Sequence, residues 1–243
     1  LGVDVQLMAQ HLTSSTNGNT VVLLPTPEGG MERFNVWPNE VMHPELAERY
    51  PEIRTYAGTS ADRANVHLRM DLTPQGFHAM VMDDEAGWWF IDPYAHGDPS
   101  ACIIYRKAHF SKTLPEGHEG CTYGSVNDLD AAAEQTRQWM ETMGVDRAGD
   151  CQKRTYRLAL ACTGEYANFH GSNTTNNNKS LALAAMVTSM NRVNAQFERD
   201  ATLTMVLVPN TDALIYLSPS TDPYTNTNGG TMLGQNQTNC DAV

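Results

Sequence analysis

The sequence predicts an α+β chain that passes into an α/β unit: a β-rich amino-terminal region, a linker helix, and then the opening βαβ portion of a second domain. Three observations predict it. Between Thr20 and Arg106, short β-branched and aromatic runs alternate with Gly, Pro and Asp turn signals, the spacing of an antiparallel sheet or small sandwich. From Ser180 to Asp200 the period changes, with Leu183, Met186, Val187, Met190, Val193 and Phe197 recurring at three- and four-residue steps in one apolar stripe. That stripe is flanked by two apolar runs, RTYRLALACT and TLTMVLV, so strand, helix and strand follow one another as in a parallel crossover.

Residues 1–20 are polar and are expected to fray. Thr20 to Pro25 and Glu32 to Val36 form a hairpin across Pro27-Glu28-Gly29-Gly30. HPELAERY supplies one or two helical turns, with Pro44 tolerated at the start and Pro51 stopping it. Strands follow at Ile53 to Tyr56, Asn65 to Leu72, Phe77 to Met82, Trp88 to Ile91 and Cys102 to Arg106. The pair NVHLRMDL and GFHAMVMD is the best-defined hairpin. If Leu72 pairs with Phe77, the residues Leu68, Met70, Leu72, Phe77, Ala79 and Val81 share one face, leaving His67, Arg69, Asp71 and His78 on the other; a three-residue loop with a bulge at Gly76 would shift the register. DLDAAAEQTRQWMETM, residues 128–143, is a helix with an Asn127 or Asp128 cap and Gly144 beyond its end. The polar stretch GVDRAGDCQKR after it marks a boundary between about Gly144 and Arg154. In RTYRLALACT, Leu158, Leu160 and Cys162 fall on one face and Ala159 and Ala161 on the other, so both faces read as buried. The run GSNTTNNN, residues 171–178, buries nothing apolar and is expected to be exposed and mobile.

Composition narrows function. A chain of 243 residues that is 41% hydrophobic supports a folded core, and no apolar run is long enough to span a bilayer. A formal charge of −12, with no basic cluster larger than Lys153-Arg154, argues against nucleic acid, whose phosphates need basic patches. An acidic, Asn- and Thr-rich surface fits an exported protein. Five scattered cysteines, Cys102, Cys121, Cys151, Cys162 and Cys240, contain no C-x-x-C pair, which argues against a zinc ribbon, and the odd count leaves at least one thiol without an intrachain partner: free, reactive, or paired with a cysteine outside the chain. Nothing around the Cys and His residues resembles the context of a Cys-His nucleophile. The histidines near Asp71 invite a metal reading, but a site needs three or four converging ligands and a polar sheet face accounts for the same residues. Trp88, Trp89 and Phe90 read as core or edge packing rather than as a ligand platform.

RTYRLALACTGEYANFHG, the helix SLALAAMVTSMNRVNAQFERD, and TLTMVLVPNTDALIYLSPSTDPYTN with GGTMLGQNQTNCDAV resemble the opening half of the catalytic domain of secreted bacterial reprolysin-like zinc metallopeptidases of the metzincin group. GFHAMVMDDEAGWWFIDPY resembles the β-rich region that precedes that domain. The resemblance implies residues 1–150 as a pro-region with its linker helix, and 151–243 as the amino-terminal half of a metzincin-like catalytic domain. It also implies a secreted zinc endopeptidase made as a zymogen, with polypeptide substrates. The family's zinc motif, H-E-x-x-H-x-x-G-x-x-H, is missing: none of His11, His43, His67, His78, His96, His109, His118 and His170 stands four residues from another. No catalytic or metal-ligating residue is therefore assigned within the chain. Zinc belongs to the full-length parent, the remainder of the catalytic domain is an implied partner, and the sequence reads as truncated before the zinc helix. His170 reads as a surface loop residue. Cys121 is a candidate latency thiol, since thiolate can displace a zinc-bound water, with a structural or disulfide role as the alternative. Arg147, Lys153 and Arg154 are candidate processing sites, or solvated linker charges. The rival class is a non-catalytic β-rich secreted or surface binding module.

Overall fold

The structure, a computed structural model, describes residues 4–13, 19–110 and 152–242. Leu1–His109 and Lys153–Val243 form one compact unit and Phe110–Gln152 another. The second unit falls almost wholly outside the described residues, and with it the expected helix at 128–143, the expected boundary, Cys121 and Arg147.

The β-rich region is one antiparallel meander in which each strand pairs with the next: β1 (Thr20–Pro25), β2 (Met31–Pro38), β3 (Arg54–Ser60), β4 (Val66–Thr73), β5 (Gly76–Asp83), β6 (Trp89–Ala95) and β7 (Asp98–Arg106). Alternation of side chains sets the inner face, which reads eBeBeBee along β2 with Glu32, Phe34 and Val36 turned in. Leu72 does pair with Phe77, so the β4–β5 turn is Pro74-Gln75 and carries no bulge. Gly76 sits at φ +125, and an added Cβ would meet Pro93 at 2.9 Å. The sheet curls: Leu24 and Phe34 at one end share a core with Trp89, Ile91 and Cys102 at the other. Arg106 of β7 closes the curl by bonding Glu28 in the β1–β2 turn. The residues expected to fray include a helix, α1 (Val5–Thr13), whose Leu12 completes that core with Met8 and Ala9 beside it.

Between β2 and β3 the chain detours through Val41, Met42 and α2 (Pro44–Arg49). These residues belong to a second core, made with the carboxy-terminal part of the chain: Val41, Met42, Leu46 and Ile53 pack with Leu183, Met186, Val187 and Leu207. That part runs β8 (Arg154–Leu158), α3 (Gly164–Phe169), α4 (Ser180–Ala201), β9 (Leu203–Leu207) and α5 (Gly229–Asp241). β8 and β9 are parallel, as a crossover through α4 requires. Met42 lies beside Leu207 in a further parallel bridge, with His43 N–H donating to Leu207 O at 2.9 Å and Leu207 N–H to Val41 O at 2.9 Å.

Two expectations change here. The strand RTYRLALACT ends at Leu158 and is exposed from Arg154 to Arg157, because the second core packs under α4 and the segment after the strand rather than over β8. The loop at 171–178 is exposed over Thr174 to Asn178 but internally bonded: Asn176 Oδ1 accepts from Asn173 N–H (3.1 Å) and Asn178 N–H (3.0 Å), while its Nδ2 donates to Gly171 O (2.7 Å). Ser172 is buried and its Oγ accepts from Ala182 N–H at 2.9 Å. Asn176→Ala is expected to cost about 1 kcal/mol in a urea melt, the net worth of such bonds at a surface. An unchanged midpoint would mean that water replaces all three.

Candidate functional site: a histidine-lined cleft at the sheet–helix seam

α4 buries two faces. Leu183, Met186, Val187, Met190 and Val193 of the stripe read from the sequence meet the second core, while Phe197, at its end, is exposed; the opposite face, carrying Thr188, Asn191, Arg192 and Glu198, lies on the outer face of the curled sheet. The sheet face bearing Arg69, Asp71 and His78 carries the polar groups its sequence predicts, beside Met80 and Met82 that pack with Ala195, yet it is covered by a helix rather than by water. Each buried polar group there needs a partner, because leaving one unpaired costs roughly 1–3 kcal/mol. Thr188 Oγ1 donates to Asp71 Oδ1 at 2.8 Å, and Asn191 Nδ2 donates to Met70 O at 3.0 Å while its Oδ1 accepts from Asn39 at 3.0 Å. Arg192 pairs with Asp92 (2.5 Å) and Arg69 with Glu198 (2.6 Å).

At one end of this seam the surfaces part into a cleft of about 470 Å3. Three imidazoles line it. His78, on β5, has Nδ1 at 2.9 Å from Asp71 Oδ1, so a neutral ring places its proton on Nδ1 and leaves Nε2 as the acceptor. His96, in the β6–β7 turn, lies against Phe169 with ring centroids 4.6 Å apart and against His170 at 5.6 Å. His170 caps the end of α3 and rests on Tyr166 at 4.5 Å. Burial, and secondarily the neighbouring His96, push the His170 pKa down, which favours its neutral form. Burial likewise raises Tyr166. His170 is thus not a loose surface residue: it is half-buried, because the six-residue helix turns it toward the sheet.

The arrangement does not fit a zinc centre. Among the described residues no three His, Cys, Asp or Glu side chains are grouped to hold a metal ion. Asp71 is occupied by His78 and Thr188, and Asp92 by Arg192 and Tyr105. Of the candidate processing residues, Lys153 lies 3.7 Å from Glu198 and Arg154 opens β8 with its backbone N–H on Thr202 O. Cys162 is buried beside Ile215, and desolvation pushes its thiol up to about 11, which makes it a poor nucleophile at neutral pH. Trp89 is a core residue, Phe90 stacks on Tyr105, and Trp88 is covered by Lys107 and Arg199, so none of the three forms an open platform.

The segment holding β8, α4 and β9 is the part with recognisable kin. Residues 152–240 match the family model described as Metallo-peptidase family M12B Reprolysin-like. No curated protein matches the chain. The carboxy-terminal part is therefore similar to reprolysin-like metallopeptidases, and the match begins two residues before β8 and ends within α5. The match supports a metallopeptidase-related function, for which polypeptides are the substrate class. No helix among the described residues is long and apolar enough to cross a membrane.

Proposed function

We propose that this chain is the non-catalytic front of an exported zinc endopeptidase made as a zymogen: residues 1–150 act as its pro-region and 151–243 as the first half of its catalytic domain. The observation that carries the reading is the family match over 152–240, which coincides with the βαβ unit and its apolar helix. A peptidase of this kind uses zinc to polarise the scissile carbonyl and activate water. No residue of 1–243 has the spacing to supply that centre, so no step of hydrolysis is assigned to this chain. What the chain does is structural. α4 orders β8 and β9 from one face, and the polar outer face of the sheet covers α4 from the other.

Two measurements test the proposal. Calorimetric titration of the purified chain with zinc, run beside a casein-hydrolysis assay, is expected to show neither a stoichiometric site nor peptidase activity. A submicromolar zinc site would overturn the placement of the active centre. The coding sequence that follows Val243 is expected to encode H-E-x-x-H. A stop codon, or a downstream sequence without that motif, would overturn the peptidase reading in favour of a β-rich binding module, a class that the self-contained core of the seven-stranded sheet would suit.

A further inference from the structure

We propose that the contact between His96 and His170 is an acid-sensitive latch: it holds the β6–β7 turn of the sheet against the end of α3 at neutral pH and releases it on mild acidification. The inference concerns the histidine cleft alone and does not depend on the peptidase reading.

The latch joins two parts of the chain that are far apart in sequence. His96 comes from the sheet, His170 from the end of α3, and their rings meet at 5.6 Å with an interplanar angle of 49°. Two neutral imidazoles pack at that distance, whereas two imidazolium rings repel, most strongly where water is partly excluded. A second contact points the same way. The Gln75 side-chain Nε2 donates to Leu181 O at 2.6 Å, which fixes its orientation, and the same NH2 group faces His170 Nδ1 at 3.4 Å. The second hydrogen of that NH2 is shared between His170 O, also at 3.4 Å, and Nδ1, which accepts it when the neutral ring carries its proton on Nε2. Protonating His170 there sets two donors face to face. It weakens the hold of the β4–β5 turn on His170 as well as that of the β6–β7 turn.

Among the described residues the carboxylates that line the cleft or its turn are already engaged, and of the two rings His170 is half-buried while His96 is exposed. From β6, Asp92 is already engaged by Arg192 and by the Tyr105 hydroxyl. From β5 and β4, His78 and Asp71 form their own pair, with Thr188 of α4 on the same carboxylate oxygen. Within the turn, Asp98 accepts from the Ser100 N–H. Tyr166 and Phe169 of α3 contribute rings. Arg192, from α4, lines the same cleft and is balanced by Asp92. The direction of linkage follows. His170 has its pKa lowered in the folded state, so this state binds fewer protons than the unfolded one. The stability from the contact is present above the ordinary imidazole range of about 6.5 and is lost as pH falls through the lowered value.

Amide hydrogen exchange of the whole chain at pH 7.5 and 5.5, corrected for intrinsic exchange, tests the latch on peptides covering residues 93–99 and 164–171. In the wild type, protection of both segments is expected to fall on the order of tenfold at the lower pH. His170→Gln is expected to reduce that fall to less than about twofold, since it removes the half-buried ring that excludes the proton, and His96→Gln to reduce it in part, since the burial of His170 and its contact with Gln75 remain. His67→Gln, at an exposed position on β4, serves as the control and should titrate like the wild type. Equal wild-type protection at both pH values, or a fall of wild-type size persisting in both cleft variants, would overturn the proposal.

Discussion

Replacing Gly164 with alanine is expected to cost about 3 kcal/mol, the upper range for forcing an extra carbon into a packed site. Gly164 is the first residue of α3, behind the Thr163 cap whose Oγ1 accepts from Tyr166 N–H at 3.3 Å. A Cβ there would stand 2.3 Å from the backbone of Ser218 and Pro219, and backbone cannot rotate away as a side-chain tip does. The Gly164 N–H also donates to Asp222 Oδ2 at 2.7 Å, so a shift that relieved the clash would break the bond. Urea denaturation of Gly164→Ala beside wild type measures the effect. A loss below about 1 kcal/mol would mean that the 218–222 segment yields freely.

The second large effect concerns Arg69 and Glu198. Their side chains are only 10% and 18% exposed, the ion pair is 2.6 Å long, and both Arg69 Nε and Glu198 Oε1 are buried without a hydrogen bond. Burial pulls the Arg69 pKa down, with the attraction of Glu198 offsetting it only in part. A pair with these properties is expensive to break and cheap to replace. Arg69→Met should lose about 3 kcal/mol by leaving a buried carboxylate with Lys153 at 3.7 Å as its remaining cation. The double change Arg69→Met with Glu198→Leu should recover most of that loss, because both desolvated charges are gone together. A double-mutant cycle under one denaturant condition gives the coupling. Additive losses would show that the two side chains are not coupled and would overturn the expected recovery.

Much of this architecture is legible in the sequence, and what is not has definite causes. Strands β1 to β7 are announced by alternation and by Gly, Pro and Asp turns, and the pairing of Leu72 with Phe77 follows from the two-residue turn. α4 is announced by its apolar stripe. Three helices escape such reading. α1 is nine residues long and gains its place from Leu12 entering a core formed by distant strands. α3 has six residues and depends on a cap and on the 218–222 segment. α5 opens with two glycines and buries no side chain, so no periodicity marks it. The polar face of β4 and β5 is legible as polar, but composition does not say whether water or the polar face of α4 will cover it. Nor is the cleft visible in advance: His78, His96 and His170 form no motif and converge only through the curl of the sheet and the turn at the end of α3. Cys121 and Arg147 lie outside the described residues, so their sequence-level roles stand as expectations.

The short parallel bridge of Met42 to Leu207 bears on how the molecule is made. Val41, Met42, Leu46 and Ile53 are buried only once the segment around β9 exists, and Arg49 bonds to Pro209 across 160 residues of chain. At a synthesis rate of about 5–20 residues per second, those side chains leave the ribosome roughly 8–30 s before β9. The meander can close around its own core in that interval, but its α2 loop must wait with an apolar surface exposed. The nascent amino-terminal half therefore carries an unburied apolar surface, and its final step, docking of α4 and β9, is a late event at high sequence separation and correspondingly slow.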